Sequence, residues 1–407
     1  MKLFKQKVIA IAIILGFVIC VGFSYSFRAH DLSTHEGHDS AAIQFDSKHF
    51  YTYYGDHSDN SAAAAAAATK TKTVASRMKL PLEPGNLMDH FANIGRCNVS
   101  NDEIIVRSET AVLCGNAHDL LESISSGGRT DIGAPFYPRS CSPWWYQTDQ
   151  LCSVLAKFSK ILFIGDELLH AVFSSLFILL REDFHGAVRQ WNLDSLNQLT
   201  CGCENGFVNL ETCANVSVTN IDDVWARDPS LIRCKNMVGS MRLQFHAIPA
   251  HPIEDAAVAK LIAAVKDDTS LDERPIAVVF GHGVNNLFDD AITARWIVAL
   301  HAIIVTSLQS DVKLHEIFLS SGAVDPSVAT AMARDDHDDK SALQQVLKLS
   351  QTFEHRIISL GKNINLDVLG TWNATARTKF ASGGIHDTMK TNLLKSMMVI
   401  NWLDLVG

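Results

Sequence analysis

The amino-acid sequence predicts an α/β fold with a parallel sheet that helices cover on both faces. The first observation is a set of short apolar runs, of which Lys160–Gly165 and Pro275–Gly281 are the clearest. The second is that stretches with helical spacing of apolar residues separate these runs. The third is a hydrophobic content of 47%, which is typical of a globular domain. Strands that alternate with helices form parallel sheets buried on both faces.

The elements follow one another from residue 160 to about residue 405. Strands are predicted at 160–165, 275–281, 316–320 and 364–369, and helices at about 168–181, 288–309, 341–359 and 388–405. Functional groups gather at the carboxyl ends of parallel strands. We therefore expect the site in the loops after Ile164, Phe280, Leu319 and Leu369.

The N-terminus carries an uncharged apolar segment, residues 8–27, which is long enough for one membrane span of about 30 Å. Lys2, Lys5 and Lys7 precede it, so residues 1–7 are expected to stay cytoplasmic and the rest to enter the lumen. This predicts a single-pass type II protein of the Golgi or secretory pathway that contacts the lipid bilayer through 8–27. A cleaved signal peptide is the alternative.

A luminal stem and one luminal domain are predicted after this segment. Residues 28–95 contain the alanine run 62–68 and show no apolar periodicity, which indicates a low-complexity stem. Globular sequence, the domain 96–407, begins close to Cys97.

The cysteines and glycosylation motifs agree with an oxidising compartment. Eight cysteines beyond Cys20 predict four disulfides with 105 possible pairings. They are Cys97, Cys114, Cys141, Cys152, Cys201, Cys203, Cys213 and Cys234. Asn98, Asn215 and Asn373 begin N-glycosylation motifs on the expected luminal side.

Charge and spacing argue against several classes of partner. The formal net charge is −9 and no basic block is present, so nucleic acid is not an expected partner. The spacing of Cys201 and Cys203 is too tight for a zinc finger. No metal and no cofactor are expected.

Glycine-rich and polar residues follow the predicted strands. Gly165-Asp166-Glu167 follows the first, Gly281-His282-Gly283-Val284-Asn285-Asn286 the second, and Gly370-Thr371-Trp372-Asn373 the last. Ser382-Gly383-Gly384-Ile385-His386 precedes the final helix.

These blocks, in this order, resemble the SGNH/GDSL esterase superfamily, and within it the PC-esterase or trichome-birefringence-like branch, with fungal membrane-anchored members. The resemblance runs from about Trp144 to Trp402. It implies a three-layer α/β/α flavodoxin-like domain and acyl, chiefly acetyl, esters of polysaccharide as the substrate class.

The resemblance also assigns roles to residues. The family uses a serine nucleophile after the first strand, a late histidine as base and an aspartate three residues before it. His386 matches the base, Asp166 matches the Asp of the Gly-Asp-Ser block, and Gly283 with Asn285 or Asn286 matches the oxyanion blocks. His282 lies in the same loop and is included on the substrate side.

Three positions depart from that pattern. Glu167 stands where the family has the nucleophilic serine, Gly383 where it has the triad aspartate, and His170 where it has an arginine. A carboxylate has no hydroxyl proton for His386 to remove, so the first hypothesis is a pseudoenzyme that keeps a glycan-facing cleft.

Two other hypotheses stay open. The chain is an active carbohydrate O-acetyl esterase or acetyltransferase if Glu167 activates water and His386 assists. It is a non-catalytic glycan-binding or scaffolding protein if Trp144, Trp145 and Tyr146 form an exposed aromatic platform; packing beside disulfides is the alternative for that cluster.

Overall fold

The computed structural model describes residues 104–105, 112–181, 196, 200–202, 213, 243–266, 274–308, 312–323, 339–378 and 388–407. These residues form a parallel sheet of five strands with the order β2-β1-β3-β4-β5. The strands are β1 (Lys160–Gly165), β2 (Leu243–Ala247), β3 (Ile276–Gly281), β4 (Leu314–Leu319) and β5 (Asp367–Leu369). The predicted α/β/α flavodoxin-like domain is confirmed.

The helices precede and connect the strands. They are α1 (Ala117–Ser126), α2 (Thr148–Leu155), α3 (Glu167–Arg181), α4 (Asp255–Lys266), α5 (Asp290–Ser307), α6 (Asp339–Ile364), α7 (Trp372–Thr375) and α8 (Met389–Val406). Strand order reverses beside β1, which pairs with β2 on one side and β3 on the other. The crevice between the carboxyl ends of β1 and β3 is therefore the topological switch point, where open α/β sheets bind ligands.

Two apolar layers sandwich the sheet. One buried cluster joins α1, α2, α3 and α8 to one face, and the other joins α4, α5 and α6 to the opposite face. Every residue of β1 and β3 is buried, which explains why both read as continuous apolar runs.

Helix α8 lies deep in the first layer, and its residues 389 and 391–403 are all buried. Its polar side chains are held by hydrogen bonds. Asn401 bonds the backbone of Trp144 in both directions, with Nδ2 donating to the carbonyl and Oδ1 accepting from the N–H. Lys395 Nζ donates to the carbonyl of Ser321 at 3.0 Å.

Among the described residues, α5 is the one helix long and apolar enough to cross a membrane by length and composition. Trp296, Leu300 and Ile304 on this helix pack into the second buried cluster. The predicted anchor 8–27 and the stem 28–95 lie outside the described residues.

Two elements differ from the prediction. The strand β2 was not predicted, and its His246 pairs with Ile164 of β1. This edge strand is short and mixes polar with apolar residues, so its sequence carries no strand signal. The last strand begins at Asp367 rather than Ile364, because α6 continues through Ile364. Asn365 then takes a left-handed backbone conformation with φ 57°, which asparagine tolerates better than most residues.

Disulfide bonds are present in the domain, as its cysteine content predicts. Cys114 pairs with Cys141 and Cys201 with Cys213, and Cys152 is also disulfide-bonded. Cys97, Cys203 and Cys234 lie outside the described residues.

The close approach of β1 and β3 at their carboxyl ends gives a test of the fold. A Cβ added at Gly165 would lie 2.0 Å from the backbone oxygen of Gly281, so Gly165→Ala forces the strands apart. We expect it to lower the free energy of unfolding by about 1–3 kcal/mol or more, measured by urea denaturation.

Gly115→Ala is the matched control, because a Cβ there meets nothing within 4 Å. Equal stability of the two variants would contradict the described strand contact.

Candidate active site

The candidate site begins where β1 and β3 end side by side. Gly165 and Gly281 are register partners, and the backbone N–H of Asp166 donates to the Gly281 carbonyl at 3.1 Å. Without side chains at these two positions, the strands come close enough to hold the following residues at the switch point.

Asp166 caps the N-terminus of α3 and is only 3% exposed. Its Oδ1 accepts from the backbone N–H groups of Leu168 at 3.1 Å and Leu169 at 3.3 Å. Its Oδ2 is buried and has no hydrogen-bond partner among the described residues. Burial, and then the negative charge of Glu167, raise the pKa of Asp166 to about 7, although the two N–H groups and Lys395 oppose this.

Glu167 is the first residue of α3, where a carboxylate is stabilised by the helix dipole. Its Oε2 accepts a hydrogen bond from Nδ2 of Asn285 at 3.0 Å. The structure therefore brings together the residue at the expected nucleophile position and one of the two residues predicted for the oxyanion hole.

The side chain of Asn286 makes different hydrogen bonds from that of Asn285. Its Nδ2 donates to the Asp289 carbonyl at 3.0 Å and to Thr293 Oγ1 at 2.6 Å, which ties the loop to the start of α5. The choice between these two asparagines, which the sequence leaves open, falls on Asn285 as the one beside Glu167.

Gly283 faces the loop after β4. A Cβ at this glycine would lie 3.0 Å from Ser321 Oγ and 3.2 Å from a ring carbon of Phe353. A side chain here would press on both neighbours, so glycine lets the loops after β3 and β4 pack together.

His282 is part of the core on the α5 side. Its ring stacks on Trp296 with centroids 4.6 Å apart, and its two nitrogens contact Thr293 Oγ1 at 3.1 Å and the Pro249 carbonyl at 3.0 Å. Burial lowers the pKa of His282 to about 4, so the ring is neutral. Both ring nitrogens therefore have partners within the protein, and the substrate-side role suggested by the place of His282 in the loop stays a prediction.

His170 lies one turn into α3, and its ring contacts aromatic side chains rather than Glu167 or Asn285. Its ring packs on Phe245 at 4.7 Å and on Phe173 at 6.5 Å between centroids. Burial lowers the pKa of His170. An aromatic environment of this kind suits a neutral ring and does not reproduce the arginine of the resembling family.

Glu354, on α6, is the main residue near the candidate site that the sequence did not indicate. Its Oε2 accepts from Ser320 Oγ and from the backbone N–H groups of Thr371 at 2.7 Å and Trp372 at 2.8 Å. It therefore ties the end of β4 to the end of β5. Burial raises the pKa of Glu354, with the hydrogen bonds and Lys395 opposing.

Lys395 and Ser321 were also missed, although their surroundings hold a signal. A lysine within the apolar run 393–400 is unusual in a buried helix and needs a polar partner. Two serines directly after a strand, Ser320 and Ser321, fall in a loop expected to carry functional groups.

A small cavity with room for about one water molecule lies beneath the switch point. Its polar lining comes from Asp166, His282, Ser320, Ser321 and Lys395. Glu167 does not line it, so the carboxylate at the nucleophile position and the cavity are separate features among the described residues.

Several predicted residues have no described environment. His386, Gly383, Asn98 and Asn215 lie outside the described residues, so their roles stay predictions. Asn373 lies in α7, and its Nδ2 donates to the Ser125 carbonyl at 2.5 Å. The described ranges contain no group of three His, Cys, Asp or Glu side chains that could hold a metal ion.

The aromatic cluster does not form an exposed platform. Trp145 and Tyr146 are 2% and 4% exposed, and Trp144 packs partly buried against the first core cluster. Tyr146 also donates from its hydroxyl to Asp404 at 2.8 Å. The cluster anchors the loop before α2 to α8, as expected of core aromatics.

Comparison with known proteins gives limited similarity. No protein-family model and no curated protein matches the chain. Among solved structures, the chain is similar to the crystal structure of Est24, a carbohydrate acetylesterase from Sinorhizobium meliloti. The identity is 10% and the TM-score 0.29, with 59% of this chain and 96% of that chain covered. Similarity at this level says nothing about the activity of this chain.

The two asparagines give a paired test of the site geometry. Asn286→Ala removes two internal hydrogen bonds and should lower the free energy of unfolding by about 1–2 kcal/mol. Asn285→Ala breaks one exposed contact and should change it by no more than about 0.5 kcal/mol. Denaturant titration of both variants checks this, and the reverse order of stabilities would refute the assignment.

Proposed function

We propose that this chain is an SGNH/PC-esterase-like protein, related to polysaccharide O-acyl esterases and transferases, whose acyl-transfer site is catalytically impaired. The observation that carries the proposal is the hydrogen bond from Asn285 Nδ2 to Glu167 Oε2 at 3.0 Å. The parallel sheet and the position of this pair at its switch point are consistent with the resemblance found in the sequence.

The first support is the chemistry of Glu167. An ester hydrolase of this type needs a hydroxyl that gives up its proton and forms a stable acyl-enzyme. A carboxylate has no such proton, and the anhydride that it would form is less stable than the ester attacked. Glu167 therefore does not replace serine as a nucleophile.

The second support is that the expected oxyanion donor already bonds another group of the protein. Asn285 is one of the two residues that the resemblance offers for stabilising the developing oxyanion, and its Nδ2–H group is already bonded to Glu167. Loss of one such donor typically costs about 10²–10³ in turnover. The carboxylate also places negative charge close to where the transition state would develop more of it, which raises the barrier further.

The competing hypothesis is an active esterase in which Glu167 acts as a general base on water. It needs Glu167, His386 and amide donors to converge on one open pocket. In the described part of the chain, the Glu167 carboxylate is bonded to Asn285 and the cavity is lined by other residues. These contacts favour the impaired site.

The proposal includes a membrane-anchored, luminal location through residues 8–27. The disulfides Cys114–Cys141 and Cys201–Cys213 support it, because such bonds persist in oxidising compartments. Protection of the domain from added protease in sealed microsomes checks it, and digestion before the membrane is opened would contradict it.

Hydrolysis of an aryl acetate and of an acetylated oligosaccharide by the full chain tests the function. We expect the wild type and Glu167→Gln to stay at background. Glu167→Ser supplies a hydroxyl and frees Asn285, so we expect turnover to rise about 10²-fold above the wild type. Adding Asn285→Ala to Glu167→Ser should remove most of this gain.

The opposite pattern identifies the competing hypothesis. Wild-type turnover that disappears in Glu167→Gln would establish a carboxylate-based mechanism and overturn the proposal. Glu167→Gln is the suitable comparison because it keeps the size and hydrogen bonding of the side chain while removing its charge.

A further inference from the structure

Three ionisable side chains are buried together beneath the switch point. Asp166, Glu354 and Lys395 are 3%, 4% and 1% exposed, respectively. Lys395 interacts electrostatically with both carboxyl groups. Asp166 reaches the group from the start of α3, Glu354 from α6 and Lys395 from α8.

The charges of this group do not balance if both carboxyls are ionised. One lysine then faces two carboxylates, and no other described cation lines the cavity, because the His282 ring is neutral. The neighbouring Glu167 adds repulsion on the Asp166 side. A buried excess charge is costly, and such a group takes up a proton instead.

Hydrogen bonding decides which carboxyl holds the proton. Glu354 Oε2 accepts from three donors, Ser320 Oγ and the N–H groups of Thr371 and Trp372, which favours its ionised form. Asp166 receives two N–H groups on Oδ1, and its Oδ2 has no partner in the described part of the chain. The proton therefore belongs on Asp166 Oδ2.

The cavity supplies an acceptor for that proton. Ser321 Oγ is buried, lines the same cavity as Asp166, and has no hydrogen-bond partner within the described ranges. The backbone carbonyl of Ser321 accepts a hydrogen bond from Lys395 Nζ at 3.0 Å, which holds the loop after β4 in place. The space fits about one water molecule, whose two lone pairs and two protons can serve both side chains.

We propose that Asp166, Ser321 and Lys395 form a buried proton- and water-binding site, in which neutral Asp166 donates from Oδ2 to a single water that also contacts Ser321 Oγ. Nothing in the proposed function requires this site, and it stands whether or not the cleft hydrolyses esters. It makes Asp166 a positioning residue beneath Glu167.

The site makes the fold sensitive to pH near neutrality. The pKa of Asp166 is about 7 when folded against an ordinary value of 3.8, so the folded chain binds the proton more tightly than the unfolded chain. Stability is then greatest below about pH 4 for this group and is lost as the pH rises to about 7. Loss of the proton also adds a second negative charge beside Glu167.

Infrared spectroscopy of the full chain tests where the proton lies. We expect the carbonyl stretch of a protonated carboxylic acid at about pH 6, where ordinary Asp and Glu side chains are ionised, and its loss by about pH 9. The band should be absent in Asp166→Asn, and in Glu354→Gln it should disappear at a lower pH than in the wild type, because Lys395 then faces a single carboxyl group. Asparagine keeps an oxygen that caps Leu168 and Leu169, so this variant is expected to fold.

Each other result overturns the proposal. A band kept in Asp166→Asn would place the proton on another group, and a band missing in the wild type would mean that no such proton is bound. An unchanged pH dependence in Glu354→Gln would contradict the charge coupling through Lys395. Ser321→Ala should shift the band, while Ser174→Ala should not, since Ser174 Oγ is equally buried and unpaired among described residues but does not line the cavity.

Stability provides a second measurement. For the wild type, titration of Asp166 raises the unfolding equilibrium constant by up to about tenfold for each unit by which the pH rises between about 4 and 7. Asp166→Asn should remove that contribution, measured by denaturant titration at several pH values. Parallel pH profiles for the two proteins would overturn the proposal, and neither result depends on esterase activity.

Discussion

The buried Asp166 carboxyl is the constraint on which the rest of the site depends. It lies where β1 and β3 approach through Gly165 and Gly281, and one of its oxygens caps α3. The cap fixes where α3 begins, and therefore fixes the position of Glu167, the first residue of this helix. The other oxygen has no partner in the described part of the chain, and Asp166 lines a cavity together with Ser321 and Lys395, so one side chain links the sheet, the helix and the buried charges.

Under the proposed function, the site combines the framework of an ester hydrolase with electrostatics that oppose ester hydrolysis. Acyl transfer needs a nucleophile that gives up a proton and donors left free for an oxyanion. Here Glu167 contributes a negative charge and engages the amide of Asn285. A neutral acid directly beneath Glu167 limits the accumulated charge, which explains how two consecutive acidic residues are tolerated at a largely buried strand end.

Periodicity predicted what buried apolar runs determine, namely β1, β3, β4 and the helices that cover them. It missed β2, whose residues mix polar and apolar types on an edge strand, and it overextended β5, where a left-handed Asn365 ends α6. At the site, strand-end motifs identified Asp166, Glu167 and Asn285. Glu354, Ser321 and Lys395 come from distant segments and acquire their role only through tertiary contact. The lysine in an apolar run and the serines after β4 are local signals, but they do not show which side chains meet.

The central claim is that the cleft keeps the geometry of an acyl-transfer site while Glu167 occupies the nucleophile position. Labelling with a serine-reactive aryl fluorophosphonate, followed by peptide mass spectrometry, tests this most directly. The account predicts a covalent adduct on position 167 of the Glu167→Ser variant and none on the wild type. An adduct on a serine elsewhere in the wild type, or an unlabelled Glu167→Ser variant that is folded, would contradict it.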